Sequence, residues 1–282
     1  MYLSQKSSDR RSLLNKVLTV VAGAFVVIAL IPLLAVLTYV LIQGFGSLSL
    51  DLFTQLPPPP MVKGGGIANA IVGTLLMVGL ASLISVPIGV GAAIFLAEFS
   101  HPIVGRWVRF ATNVLNGVPS IILGVFVYGA LVYTTKTFSA YAGAVALSIL
   151  MLPTIIRTAD EALKIVPQEI RWAALGVGAA KYQTVLMIVV PAAIPTIITG
   201  VTLAIARAAG ETAPLIFTAL FTQFWPNSLT QPTPSLAVLV FNFATVPFKN
   251  QQQLAWAASL ILVLLVLTTS VISRFALRRK TF

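Results

Sequence analysis

Long apolar stretches separated by short polar segments run through almost the whole chain. A helix needs about 20 apolar residues to cross the roughly 30 Å hydrocarbon core of a bilayer, and most of these stretches are of that order. The pattern therefore predicts an all-α integral membrane protein with six transmembrane helices. They are predicted at residues 17–43, 67–97, 117–134, 141–156, 192–209 and 254–272.

The polar segments divide the chain into one separate helix and a core. Four successive prolines at 57–60 favour an extended connector after the first helix, which serves either as a spacer or as a binding segment. The predicted parts are a cytoplasmic N-terminus at 1–16, a first transmembrane helix at 17–43, a periplasmic loop rich in proline and glycine at 44–66, a five-helix core at 67–273 with a cytoplasmic loop at 157–190, and a cytoplasmic C-terminus at 274–282.

The amino-acid composition is typical of a membrane protein and argues against a soluble domain or a nucleic-acid-binding protein. Hydrophobic residues make up 58% of the 282 residues and charged residues only 9%, which leaves too little polar surface for an ordinary soluble domain. The formal net charge of +11 is carried by short basic clusters beside apolar runs, as topology selection produces. We therefore expect membrane lipid around the chain and no nucleic acid bound to it.

The basic clusters also predict how the chain is oriented in the membrane. Fourteen Lys and Arg side chains fall in segments on one side of the six predicted helices, at the two termini, near residue 106 and between 157 and 181. Only Lys63, Lys136 and Lys249 fall on the other side. Positive charge accumulates in cytoplasmic loops, so both termini and the 157–190 loop are predicted to be cytoplasmic.

The segment 166–191 within this loop is polar and helix-forming, yet it lies between long apolar runs. Its small residues Ala173, Ala174 and Gly178 would give a helix a low-relief surface that a partner approaches closely. Pro191 is expected to break the segment and start the next span. An amphipathic helix lying in the membrane interface is the alternative interpretation.

This spacing resembles the cytoplasmic coupling loop of ABC importer permeases, which reads EAA, three residues, G, nine residues, then I-x-L-P. The resemblance implies a type I, MetI-like permease core whose loop docks on a cytoplasmic ATPase and transmits its closure to the membrane helices. Trp172 stands where the family has Glu; it either fills the docking groove or faces the membrane interface. The predicted coupling residues are Glu169, Arg171, Trp172, Ala173, Ala174, Gly178, Ile188 and Pro191.

No catalytic site of its own is apparent in the chain. The phosphate-binding loop G-x-x-x-x-G-K-[ST] is absent because no Gly-Lys pair occurs. There is no Cys, and His101 is the single His, so neither a cysteine site nor a histidine metal cluster is expected. We therefore expect no enzyme activity and no cofactor in this chain, with ATP and Mg²⁺ on a partner ATPase.

Arg207 and Glu211 are four residues apart in an otherwise apolar span, where charges tend to face a bundle interior or a wet cavity. On a helix they would share a face, in the outer half of the membrane. Two interpretations stay open. They form a structural ion pair, or Arg207 attracts an anionic solute while Glu211 holds its guanidinium or gates the path.

Residues 210–214 read GETAP, and residues 65–75 and 117–121 carry two further stretches of the same kind. Together they resemble the permeases of phosphate-specific ABC importers from about residue 64 to the C-terminus. That implies import of inorganic phosphate through the bacterial plasma membrane, with a homologous second permease, two ATPase subunits and an external phosphate-binding protein. The substrate-path candidates are Arg207, Glu211, Thr212, Ser120 and Asn69.

Two other functions are alternative hypotheses to phosphate import. The chain is a permease for another oxyanion or small solute, or it is a secondary transporter or membrane scaffold. A secondary carrier would have in-membrane acidic residues for coupling ions, and Glu211 is the only acidic residue deep in a predicted span. The outer segment 221–253 is either a contact for the binding protein or a plain surface loop.

Overall fold

The computed structural model describes residues 5–62 and 64–278, and within those ranges it contains helices and no strand. Lys63, Arg279 and Lys280, which contribute to the predicted orientation, lie outside the described residues. The helices are α1 (Gln5–Phe45), α2 (Asp51–Thr54), α3 (Ala68–Ile94), α4 (Pro102–Asn116), α5 (Ser120–Val127), α6 (Tyr133–Thr135), α7 (Ala140–Ile165), α8 (Gln168–Gly176), α9 (Lys181–Thr184), α10 (Val190–Ala209), α11 (Ala213–Thr218), α12 (Leu236–Ala244) and α13 (Lys249–Arg278).

Three π-helical segments extend α-helices or join them into longer units. They are π1 (Phe95–Phe99) after α3, π2 (Tyr128–Val132) between α5 and α6, and π3 (Val185–Val189) between α9 and α10. A π segment inserts one extra residue into a helical turn and is often found at functional sites. Of the three, π3 lies at the end of the predicted cytoplasmic loop 157–190, and π1 ends the helical unit that begins with α3.

Five helical units in the described residues are long and apolar enough to cross a membrane, and a bent pair makes up a sixth. The bent pair is α4 with the unit Ser120–Thr135, and the two limbs meet at 98°. The six-helix all-α fold predicted from the apolar pattern is therefore confirmed. The five long units are Arg10–Phe45, Ala68–Phe99, Ala140–Ile165, Lys181–Ala209 and Lys249–Ser273.

Helix α4 is the main departure from the predicted elements, because the sequence predicts a plain loop over the charged residues 98–109. The charges there are spaced so that one side of a helix stays apolar. Ile103, Trp107, Phe110 and Val114 recur at helical spacing and are all exposed. A helix with an exposed apolar face, set nearly at right angles to the membrane-crossing limb that follows it, suits the plane of the membrane interface.

A buried carboxylate holds α4 against the core. Arg109 of α4 donates two hydrogen bonds to Asp160 of α7, from Nε to Oδ2 at 2.8 Å and from Nη2 to Oδ1 at 2.9 Å. Its Nη2 also donates to the carbonyl oxygen of Leu96 in π1 at 2.9 Å, and Lys164 pairs with the same carboxylate. Bidentate pairing of this kind fixes the guanidinium in direction as well as distance, so α4 is locked to both α7 and π1.

The core lies where α3, α7 and α10 pack together. Its buried side chains are mostly small or unbranched, with Met77, Leu147 and Met151 among the larger ones and many alanines between them. Small residues let membrane helices approach closely, which supplies the packing that replaces the hydrophobic effect within lipid. A second cluster, around Leu163 and Val189, forms where the ends of α3 and α7 pack against π3 and α10.

The outer connections are more folded than the sequence suggests. The 44–66 loop contains α2, whose Leu52 is buried in the cluster formed with α12 and α13, and Pro57 and Pro58 are buried as well. It is therefore packed onto the core and is not an extended spacer. The 221–253 segment, a predicted loop or contact region, contains the buried helix α12 and the first turn of α13.

Candidate functional site

The predicted docking segment folds as two short helices, α8 and α9, joined by a turn at residues 177–180. Glu169 lies exposed in the first turn of α8, where the helix dipole favours an acidic side chain. The second helix continues through π3 into α10, so one continuous helical unit of 29 residues, Lys181–Ala209, leads from the segment into the membrane. Displacement of α9 must therefore reach α10 directly.

Gly178 ends α8 and sets the angle between the two helices. Its φ is +90°, a conformation that side chains of L-residues rarely adopt, and no atom lies within 4 Å of the position a Cβ would take. The amide of Ala179 donates to the carbonyl of Ala174 at 3.1 Å, and that of Gly178 donates to Leu175 at 3.0 Å. These are the two hydrogen bonds of a Schellman helix ending, which requires the left-handed residue at this position.

That geometry corrects the predicted low-relief surface. Ala173 is exposed, but Ala174 is buried against the core, and Gly178 acts through its backbone conformation. The exposed surface of the segment is instead strongly apolar. Trp172 is 66% exposed, so the residue that replaces the family glutamate points outward and is available to a partner. Other large exposed side chains in the segment are Ile170, Leu175, Val177, Tyr182, Leu186 and Met187.

Pro191 lies at the start of α10 as predicted, but it does not break the chain there. It lies in the first turn of α10, immediately after π3, and the helix runs through it. Proline has no N–H to donate to the carbonyl four residues earlier, and the wider π turn before it absorbs the mismatch. Ile188 is half-buried within this π turn.

Arg207 and Glu211 come together at the far end of α10. The helix ends at Ala209 and Gly210 closes it, so Glu211 lies just beyond the helix and not on its face as predicted. Arg207 Nε lies 3.6 Å from Glu211 Oε1, which is too long for a hydrogen bond. The Arg207 side chain is 46% exposed, whereas that of Glu211 is 16% exposed. The guanidinium therefore retains donors for another anion.

Arg207 belongs to an exposed stripe along α10 that the sequence argument did not identify. Ala192, Thr196, Thr199 and Leu203 are exposed at the same helical spacing and fall on the same face. A guanidinium on a membrane helix is costly in lipid, so a face that carries one is expected to line a wet path or a partner helix. A helical-wheel projection of residues 192–207 would have shown this alignment.

The remaining path candidates are not all gathered around Arg207. Asn69 is fully buried and donates its two amide hydrogens to the carbonyls of Thr222 and Phe224, at 3.3 and 3.2 Å. These bonds tie the outer segment to α3 and use both amide hydrogens, and the place of Asn69 on the substrate path stays a prediction. Ser120 and Thr212 are both half-buried, and they lie at the starts of α5 and α11, two helices that pack together.

Gly124 allows α5 and α11 to pack this closely. A Cβ at Gly124 would lie 2.6 Å from Cα of Pro214, a backbone atom that has no rotamer to change. We expect Gly124→Ala to force the helices apart, to lower the stability of the purified protein by about 1–3 kcal/mol, and to reduce transport several-fold. Thermal unfolding in detergent and transport assays would measure both effects.

Gly129→Ala is the matched control for that substitution. It lies in π2 of the same helical unit, and nothing is within 4 Å of its added Cβ. If Gly124→Ala behaved like Gly129→Ala in both assays, close packing at Pro214 would not matter for the site.

Comparisons with known proteins agree with this arrangement. A family model described as "Binding-protein-dependent transport system inner membrane component" matches residues 85–281. A phosphate transport system permease protein PstA of Yersinia pestis is 40% identical over 270 residues, covering 94% of this chain and 90% of that protein. The PstA protein of Haemophilus influenzae is 41% identical over 272 residues, covering 94% of each.

Solved structures show the same fold at lower identity. An inward-facing MetNI methionine ABC transporter aligns with a TM-score of 0.65 at 20% identity, covering 77% of this chain and 96% of that one. A bacterial alginate ABC transporter in complex with its alginate-loaded periplasmic protein aligns with a TM-score of 0.67 at 15% identity, covering 97% and 96%. Both are ABC importer permease folds, as the predicted MetI-like core requires.

Proposed function

Because the chain belongs to the binding-protein-dependent transport system inner membrane components, and within them to the PstA phosphate transport permeases, we propose that it imports inorganic phosphate. It forms half of the translocation path of an ATP-driven importer in the inner membrane. Its homologue PstC forms the other half, two PstB subunits supply ATP hydrolysis, and the binding protein PstS delivers phosphate from outside.

The half-exposed guanidinium of Arg207 is the observation that carries this proposal. It lies on the exposed face of α10, 3.6 Å from a carboxylate that keeps it oriented without using its hydrogen bonds. A phosphate path needs donors and positive charge but no tight sink, since strong binding would slow release. A carboxylate at this distance weakens the attraction of Arg207 for an anion and so favours passage over capture.

The exposed apolar surface of α8, α9 and π3 supports the coupling role. Trp172 and its neighbours expose large apolar side chains on a segment that continues as one helical unit into α10. A groove on an ATPase subunit would bury this patch, with Trp172 as the kind of aromatic anchor that dominates protein interfaces. ATP and Mg²⁺ are then held by PstB, and this chain receives the movement.

The proposed coupling role of α8 and α9 also implies an orientation of the chain in the membrane. With α8 and α9 on the cytoplasmic side, Lys136 and Lys249 lie at the outer ends of their helices, and both termini are cytoplasmic. The exposed aromatic residues Phe224 and Trp225 then face outward, next to the segment that Asn69 anchors. This surface is the proposed contact for PstS.

Transport by the reconstituted complex tests the proposal. Proteoliposomes containing this chain with PstC and PstB, loaded with ATP and supplied with PstS, are expected to accumulate radiolabelled phosphate, and sulfate in excess is expected not to compete. Vesicles without ATP provide the background. Uptake of sulfate without uptake of phosphate would show that the chain serves another oxyanion, and uptake that does not need ATP would favour a secondary carrier.

A further inference from the structure

Arg171 is the charged residue of the predicted coupling set whose side chain points into the protein. It is 13% exposed and donates from Nη2 to Oε1 of Glu98 at 2.8 Å, where the carboxylate side chain is 9% exposed. The same guanidinium donates to the carbonyl of Leu163 at 2.8 Å and to that of Val166. Arg171 therefore joins α8, the end of α7 and the end of α3.

The groups that accept hydrogen bonds from Arg171 lie at the ends of two helices, α7 and α3. Leu163 and Val166 carry carbonyls at the C-terminus of α7, where no further helical turn is present to satisfy them and a cation is favoured. Glu98 lies in π1, whose extra residue shifts the end of α3 relative to an α-helical continuation. Few backbone contacts connect α8 to α3, so the side-chain pair provides the connection between them.

From these contacts we infer that Arg171 and Glu98 form a strut that makes α3 and α7 move with the coupling helix α8. This inference rests on the proposed coupling function. The chain already connects the docking segment to α10 through π3 and to α7 through residues 166–167, and the strut adds a direct contact between α8 and the end of α3. With the strut, displacement of α8 by an ATPase moves three membrane helices together, and Arg171 is a positioning residue that contacts neither ATP nor solute.

The strut is isolated from other ion pairs in the described residues. The nearby cation Lys164 pairs with Asp160, and that carboxylate is also held by Arg109. Lys181, on α9, lies over the ring of Phe99 at 5.3 Å from its centroid. Glu98 and Arg171 are thus each other's ionic partner in that part of the chain. Removing Arg171 leaves the Glu98 carboxylate buried without a counter-charge, which is unfavourable, whereas removing the Glu98 charge leaves Arg171 bonded to its backbone carbonyls.

The test compares ATP hydrolysed with phosphate taken up in proteoliposomes containing the full complex. Glu98→Gln keeps the size of the side chain and Arg171→Ala removes the guanidinium. Each is expected to raise the number of ATP molecules hydrolysed per phosphate by about 2- to 30-fold, with both quantities normalised to the amount of assembled complex. The double variant is expected to be no worse than Arg171→Ala alone, since each residue acts through the other.

The pair Arg157 and Glu161 is the matched control. It is an ion pair of 3.1 Å on the same α7, but its side chains are 57% and 60% exposed and it connects no second helix. Arg157→Ala is expected to leave the ratio unchanged. The inference would be overturned if both strut variants left the ratio of ATP hydrolysed to phosphate taken up unchanged. It would also be overturned if the increases in this ratio in the two single variants multiplied in the double variant.

If a strut variant fails to accumulate, cross-linking provides a second test. The natural chain has no cysteine, so two introduced cysteines can be joined specifically within it. Glu98→Cys with Arg171→Cys, joined by a bifunctional thiol reagent, is expected to restore tight coupling relative to the unlinked double variant. Equal ratios with and without the cross-link would refute the strut. If the unmodified complex instead imports another anion, the ratio is measured with that anion. The phosphate proposal then fails while the strut is still tested.

Discussion

Gly178→Val is expected to abolish coupled phosphate uptake while the complex assembles and continues to hydrolyse ATP. Valine at φ +90° is strained by about 1–2 kcal/mol or more relative to glycine, and its branched Cβ removes the conformation that ends α8. The strain is relieved by rotating α8 relative to α9, which turns Trp172 and the apolar patch away from their partner. Uptake and ATPase activity, measured on the same vesicles, would show the uncoupling.

Two further substitutions distinguish backbone strain at Gly178 from the loss of a small side chain on the docking surface. Gly176→Ala lies two residues away, has no positive φ, and also has open space around it, so it is expected to behave as the unmodified chain does. Gly178→Asn is expected to restore much of the activity, because asparagine tolerates the left-handed conformation better than valine. If Gly178→Val retained full uptake, or if Gly176→Ala were equally damaging, the helix-ending role would be wrong.

Arg207→Gln is expected to lower phosphate uptake by about tenfold to a hundredfold with little loss of assembled complex. Glutamine keeps a hydrogen-bonding group but removes the charge, and a hydrogen bond to a charged group contributes about 1.5–3 kcal/mol. The side chain is half-exposed and its ion pair is long, so the fold depends on it only weakly. The measurement is initial uptake rate normalised to the amount of complex in the membrane.

Glu211→Gln distinguishes the two interpretations of this pair. On the substrate path, Glu211→Gln is expected to leave the complex intact and to slow release of phosphate more than its capture, because the counter-charge to Arg207 is lost. As a structural pair, both Arg207→Gln and Glu211→Gln would prevent accumulation of the chain. Blue native electrophoresis alongside the uptake assay would decide between them.

The apolar pattern predicts the membrane helices well because spanning a bilayer leaves little freedom in length and composition. It misses α4 because an interfacial helix needs apolar residues on one face only, and Arg106 and Arg109 between them resemble a charged loop. Its apolar residues 103, 107, 110 and 114 carry the missing signal. A search for helical periodicity across the polar segments, and not only across the apolar ones, would have found it.

The candidate site is predictable in its residues but not in their roles. The spacing of the coupling segment identifies Gly178, yet its left-handed φ depends on where α8 ends, which ±1 residue in helix length would change. Arg171 and Glu98 are 73 positions apart, and no local pattern pairs them. Asn69 looks like a path residue because it is polar in an apolar run, and only the fold shows that two distant carbonyls occupy its amide.

The contact between Asn69 and Thr222 has a consequence for the order in which the chain is made. The two residues are 153 positions apart, and at about 5–20 residues per second, synthesis of the intervening chain takes on the order of ten seconds. Throughout that interval α3 is already made, and the amide of Asn69 in its first turn has neither carbonyl as a partner. Because burying this amide unpaired would be costly, the outer end of α3 is expected to keep it in contact with water until residues 222–224 have emerged.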